Sequence, residues 1–176
     1  MSHDLVSSLS SFQSSAAAEL MVRDDGGALR RAEPCEVLRV AQHLLAGQVR
    51  GRDVLSSPMQ VRDFLRLRLG ALPHEVFAVV HLDAQHRVLD YVEMFRGTVS
   101  QASVYPREIV KEALARNSAA LILVHNHPSG SAEPSRADEV LTRTLKDALA
   151  LVDVRVLDHL VVAGPAVLSF AERGLI

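Results

Sequence analysis

Residues 125–138, HNHPSGSAEPSRAD, restrict what this chain can be more than any other stretch. His125 and His127 close the run AALILV, which is too short for a separate helix and reads as a buried strand. Side chains two apart on a strand share a face, so both imidazoles converge on one point at the strand end. Asp138 falls in the first turn of the next helical segment, and Pro128, Gly130 and Pro134 allow the loop to fold its carboxylate back to that point. Two imidazole nitrogens and one carboxylate predict a zinc (Zn2+) site. Three protein ligands leave the fourth tetrahedral position open, the arrangement of catalytic rather than structural zinc. Zinc lowers the pKa of water to about 7, so a hydrolytic nucleophile becomes available at neutral pH. A general base must still take the water proton and deliver it to a leaving amine, and Glu75, at the start of an upstream strand, is the candidate.

The same residues have a plainer reading. Ser135-Arg136-Ala137-Asp138 is a serviceable helix start, with Ser135 as N-cap and Asp138 reaching back to its amide. Capping, however, has no use for a His-x-His pair upstream, and that pairing favours the ligand reading of His125, His127 and Asp138. Glu93 is an upstream carboxylate that competes with Glu75. His74, His81, His86 and His159 lack ligand-like spacing and are expected on the surface or as satisfied core residues. Asp158 beside His159 is a weaker candidate for a supporting pair. Cys35 is expected to be a buried or inert thiol.

Around this segment the pattern alternates. Residues 1–33 are Ser/Ala-rich and then polar, and are expected to be a flexible or weakly helical leader. PCEVLRVAQHLLAG predicts a helix from Pro34 to Gly47, and a second runs from Pro58 to Leu69 with Val61, Phe64, Leu65 and Leu69 on one face and Gly70 closing it. These form a helical N-terminal extension over 34–74. From Glu75 the main domain begins, with EVFAVVHLD and RVLDYVEMF as a hairpin around Ala84-Gln85-His86. A helix over PREIVKEALARN carries Ile109, Val110, Ala113 and Leu114 as its stripe. A longer helix aligns Ala137, Val140, Leu141, Thr144, Leu145, Ala148 and Leu149 on one face, and VDVRVLDHLVV and AVLSF supply final strands. Alternation of this kind predicts an α/β layer architecture, a central sheet covered by helices.

Composition removes several function classes. The formal charge is -2, and residues 1–70 carry nine Lys/Arg against eight Asp/Glu, so charge supports no nucleic-acid footprint. One cysteine excludes an internal disulfide and the Pro-Cys-x-x-Cys ligand set of nucleobase deaminases, and fits a reducing cytoplasm. No apolar run approaches the roughly 20 residues that a membrane helix needs.

The stretches HEVFAVVHLD, FRGTV, VYPREIVKEAL, LVHNHPSG, EPSRAD and LDHLVV resemble the JAB/MPN metal-dependent hydrolases that carry the JAMM motif, and among them the RadC-like branch. That motif is an upstream Glu followed by His-x-His, seven residues, Ser, two residues and Asp, met here without a gap by His125, His127, Ser135 and Asp138. The resemblance covers residues 75–176 and implies a mixed central sheet flanked by helices, related to the cytidine-deaminase fold. It implies His125, His127 and Asp138 as zinc ligands, Glu75 as general acid/base and Ser135 as an aid to the tetrahedral intermediate, where a hydroxyl stabilises a developing oxyanion. The activity implied is cleavage of a peptide or isopeptide bond in a protein substrate. Two other readings are a noncatalytic MPN-type interaction domain and a DNA-repair-associated accessory protein. Longer RadC-like proteins carry a helix-hairpin-helix module, yet residues 1–74 contain no hairpin of the Gly-x-Gly type. Substrate identity and oligomeric state are beyond these patterns.

Overall fold

The computed structural model describes residues 20–24, 26–49, 58–97 and 104–176, and side chains 42–49 lie outside the description. Residues 1–19 of the expected leader and residues 50–57 of the expected helical extension fall outside it as well. Contacts divide the chain into two units, 1–40 and 41–176.

Within the first unit, β1 (Met21–Arg23) and β2 (Leu29–Arg31) pair antiparallel, where a leader without strands was expected. The cause is local turn chemistry. Asp24 Oδ1 accepts from the amides of Gly26 and Ala28 at 3.0 and 2.9 Å, and Gly27 sits at φ 81°, a conformation glycine takes without steric cost. Helix α1 (Pro34–Val49) starts at the predicted proline and continues two residues past Gly47.

The second unit is built on a five-stranded sheet, ordered β4-β3-β5-β6-β7, from β3 (Val76–Leu82), β4 (Val88–Arg96), β5 (Ala120–Asn126), β6 (Arg155–Ala163) and β7 (Ala166–Ser169). Only β5 and β6 pair parallel; the other three pairings are antiparallel, so the sheet is mixed as expected. Helix α4 (Arg136–Ala150) makes the crossover between the parallel strands, the connection such a pair requires.

Strand alternation assigns the two faces. Val76, Ala78, Val80 and Leu82 point to one side with Ala120, Val124, Leu160 and Val162. Helix α2 (Pro58–Leu69), which has the predicted bounds, covers that side with Val61, Phe64, Leu65 and Leu69. Each such aliphatic or aromatic side chain contributes about 1.5–3 kcal/mol by leaving water. Gly70 ends α2 for a reason other than backbone conformation: a Cβ there would stand 2.6 Å from both the Arg66 and Gly164 carbonyl oxygens.

The opposite side holds Phe77, Val79, Leu121 and Leu123 under α3 (Pro106–Ala115) and α4. Ile109 and Ala113 anchor α3, whereas Leu114, expected in its stripe, is exposed. On α4 the buried residues are Thr142, Leu145 and Leu149, and Val140 is exposed. The buried face is therefore rotated from the apolar stripe expected, and a threonine occupies its centre.

Candidate metal centre

The C-terminal end of β5 delivers His125 buried in the sheet, and His127 one step beyond the strand with its amide bonded to the Val162 carbonyl at 2.8 Å. The chain then turns through Gly130, at φ 82°, toward α4. Ser135 is the N-cap of α4 and Asp138 its third residue. One ligand-type atom from each of His125, His127 and Asp138 lies within 4.8 Å of the others, so these three side chains form a cluster able to hold a metal ion. His125 Nε2 is 3.4 Å from Asp138 Oδ1, His127 Nε2 is 3.6 Å from Oδ2, and the two Nε2 atoms are 2.9 Å apart.

The outward nitrogens define what faces inward. His127 Nδ1 is 2.8 Å from the Ser131 carbonyl oxygen, which can only accept, so Nδ1 carries the proton and the neutral ring turns a lone pair inward. His125 Nδ1 is 2.8 Å from His159 Nε2, and His159 Nδ1 is 2.6 Å from Thr142 Oγ1. The Nε2 atoms of two imidazoles and a carboxylate thus gather around one point. Acceptors so arranged repel one another unless a cation or a proton stands among them.

The electrostatics agree with this geometry. Burial lowers His125 to about 4, so it stays neutral and its contact with Asp138 is no ion pair. His127 is raised, chiefly by its bond to Asp138. Burial acts to raise Asp138, but the bond to His127, the proximity of His125 and the bonds to Ser135 outweigh it and hold the carboxyl well below its ordinary range. A cluster that keeps one imidazole neutral and its carboxylate ionised is chemically suited to a divalent cation.

Ser135 and Asp138 satisfy the capping reading and the clustering at once. The Asp138 amide donates to Ser135 Oγ at 3.2 Å, while the Ser135 amide and hydroxyl both donate to Asp138 Oδ2 at 2.7 Å, completing a capping box. The Ser135 proton is therefore engaged by Asp138.

Glu75 immediately precedes β3 and lines, with His125, His127, Ser135 and Asp138, a pocket of about 580 Å³. Burial raises its carboxyl, His127 opposes that shift, and Asp138 adds to it. Asn126, between the two clustered histidines, sets this segment in place. Its Oδ1 accepts from the Val76 amide at 2.8 Å and its Nδ2 donates to the His74 carbonyl at 3.0 Å, bracketing Glu75 from both sides. Glu93, the competing carboxylate, instead bonds Arg68 at 3.1 Å and is absent from the pocket lining.

His159 is a buried, satisfied histidine, but its partner is His125, a connection its sequence spacing conceals. Asp158 pairs with the backbone of His159 rather than its ring: its Oδ1 accepts from the His159 amide at 2.7 Å, and it also binds the Ser169 hydroxyl at 2.6 Å and the Ala171 amide at 2.9 Å, tying β6 to the end of β7. His74 meets Arg96, and His86 meets Arg155. Cys35 is exposed rather than buried. Among the described residues no helix is long and apolar enough to cross a membrane.

Comparison with known proteins identifies the family. Residues 55–175, from just ahead of α2 to the penultimate residue, match the RadC-like JAB domain. A UPF0758 protein of Methylibium petroleiphilum is 58% identical over 173 residues, 98% of this chain and 78% of that protein. One from Leptothrix cholodnii is 62% identical over 150 residues, covering 85% of this chain and 68% of its own length. A third, from Aromatoleum aromaticum, is 56% identical over 170 residues, 96% of this chain and 76% of the relative. With a mixed sheet flanked by helices and a His/His/Asp cluster at the end of its central strand, the chain belongs to the RadC-like JAB domain family, within the JAB/MPN proteins.

Proposed function

We propose that the protein is a zinc-dependent hydrolase of the JAMM metallopeptidase type, cleaving a peptide or isopeptide amide in a protein substrate. The observation that carries the reading is the inward convergence of His125 Nε2, His127 Nε2 and the Asp138 carboxylate, with the Nδ1 of each imidazole engaged elsewhere. His125, His127 and Asp138 would hold the ion. When bound, zinc supplies Lewis acidity to a carbonyl and makes water nucleophilic near neutral pH.

The remaining chemistry falls to the chain. Glu75, raised by burial and fixed by Asn126, takes a proton from the attacking water and hands it to the leaving nitrogen as the C–N bond breaks. The water oxygen stays on the acyl carbon, so the products are a carboxylate and an amine. Ser135 lies at the pocket wall, and its hydroxyl serves a developing oxyanion when it turns from Asp138 toward substrate. Among the described residues the lining includes Glu75, Glu133 and Asp138 but neither Lys nor Arg, which favours a neutral amide over a phosphodiester.

Metal analysis of protein purified without chelators tests the reading. One zinc per chain is expected, lost in His125→Ala and in Asp138→Ala. Protein without stoichiometric zinc, or variants with unchanged metal content, would overturn it.

A further inference from the structure

We propose that Thr142 and His159 form a relay that fixes the tautomer of His125, so that its Nε2 offers a lone pair to the pocket; the inference rests on the metal-centre reading above. Thr142 and His159 are positioning residues in this scheme. Neither lies on the loop or the helix turn that carries the cluster's other members, and neither lines the pocket.

The direction of every bond follows from one fixed end. Thr142 Oγ1 is 2.6 Å from the Asp138 carbonyl oxygen, one helical turn earlier. A carbonyl oxygen only accepts, so at that distance the single hydroxyl proton of Thr142 points to it. Thr142 Oγ1 must then accept from His159 Nδ1, 2.6 Å away. A neutral His159 with its proton on Nδ1 has a bare Nε2, which accepts from His125 Nδ1 at 2.8 Å. His125 is left with an unprotonated Nε2 facing His127 and Asp138.

Burial makes the assignment exclusive. Thr142 is 1% exposed and His159 0%, so water cannot replace a missing donor or reverse one bond alone. His159 packs edge-on to Phe77 and against Phe170, with ring centroids 5.8 and 4.7 Å away, so exchanging its two nitrogens requires the ring to turn within this packing. The relay starts at the backbone of Asp138 and ends on the side chain of His125, so two members of the cluster are joined behind the pocket as well as within it.

The test uses the full chain, zinc alone as probe, and two readouts. Long-range proton–nitrogen NMR on zinc-free protein should show His125 protonated at Nδ1 and bare at Nε2. Thr142→Val, which keeps shape and removes the hydroxyl, should mix the tautomers of His125 and His159 and weaken zinc binding about 10- to 100-fold in a chelator competition, while Thr142→Ser restores both. Thr142→Ala serves as a second variant if valine prevents folding. Wild-type His125 carrying its proton on Nε2, or a Thr142→Val protein with an unchanged spectrum and wild-type zinc affinity, overturns the relay. Wild-type protein that takes up no zinc defeats the metal-centre reading, while the tautomer assignment still decides the relay.

Discussion

One face of the sheet buries imidazoles at both ends, and the two ends differ in how those rings are used. At one end His81, on β3, is fully buried, with Nδ1 2.8 Å from Ser118 Oγ and Nε2 lacking a partner among the described residues. At the other, His159 and His125 are buried in series, and both ring nitrogens of each meet a polar atom. Burial depresses His81 and His125 alike, to about 4. Depth and a shifted pKa therefore do not separate a structural histidine from a candidate functional one. What separates them is where the chain of polar atoms ends: for His81 in a dead end, for His125 in a pocket with two other ligand-type groups and a carboxylate above them.

The largest effect should come from the group proposed to move protons rather than to hold the cluster. Glu75→Gln should lower amide hydrolysis by about 10²- to 10⁴-fold while zinc content stays that of the wild type. Equal loss of zinc and activity would put Glu75 among the structural groups and dissolve that side of the comparison.

Next in size is an acid-dependent loss of stability in zinc-free protein. His125 has a folded pKa of about 4 against an ordinary 6.5, so the unfolded chain binds the extra proton in that window. Its contribution is complete above pH 6.5 and lost as pH falls toward 4, roughly 3 kcal/mol in all. His81 acts in the same direction and His159, lowered further by burial, adds to it. His127, raised, opposes it: its contribution is complete below pH 6.5 and lost as pH rises through its folded value. Urea unfolding across pH 4–7 measures the sum; a flat profile would show that these rings do not stay neutral in the folded protein.

The smallest and most direct contrast sets His159→Leu against His81→Leu. The first leaves His125 Nδ1 without its partner in the core and should cost roughly 2 kcal/mol or more, while the second removes an unpartnered nitrogen along with one bond to Ser118 and should change stability by about 1 kcal/mol or less. Equal costs in urea titrations would erase the distinction between the two ends.

Much of this architecture is legible in the sequence because local chemistry punctuates it. Pro58, Pro106 and Gly70 mark helix ends, period-two apolar runs mark β3 and β4, and the spacing from His127 to Asp138 spans a strand end and a helix start. The hairpin at residues 21–31 is not legible in the same way: Asp24-Asp25-Gly26-Gly27 carries turn chemistry, but strands of three residues give too little alternation to register. His159 and Thr142 are different. Their meeting depends on β6 lying parallel beside β5 with α4 crossing over the pair, a pairing no local pattern encodes. Thr142 also defeats a purely apolar stripe, since its polarity puts it outside while its bonds to Asp138 and His159 put it in. Likewise, periodicity finds α2 but cannot say that the sheet is what its apolar face covers.

The capping box at the start of α4 has a consequence for how this domain can change over time. Asp138 Oδ2 receives the Ser135 amide and hydroxyl, so the residue is indispensable to the first turn of a helix whether or not any ion is held. A copy drifting away from chemistry can shed the partly buried His127, which lies just past the end of β5, with less injury than Asp138, whose loss frays the start of α4. Such a copy would go on displaying its acid long after becoming inert, and among descendants of this fold the histidine, rather than the aspartate, is the better witness to a working centre.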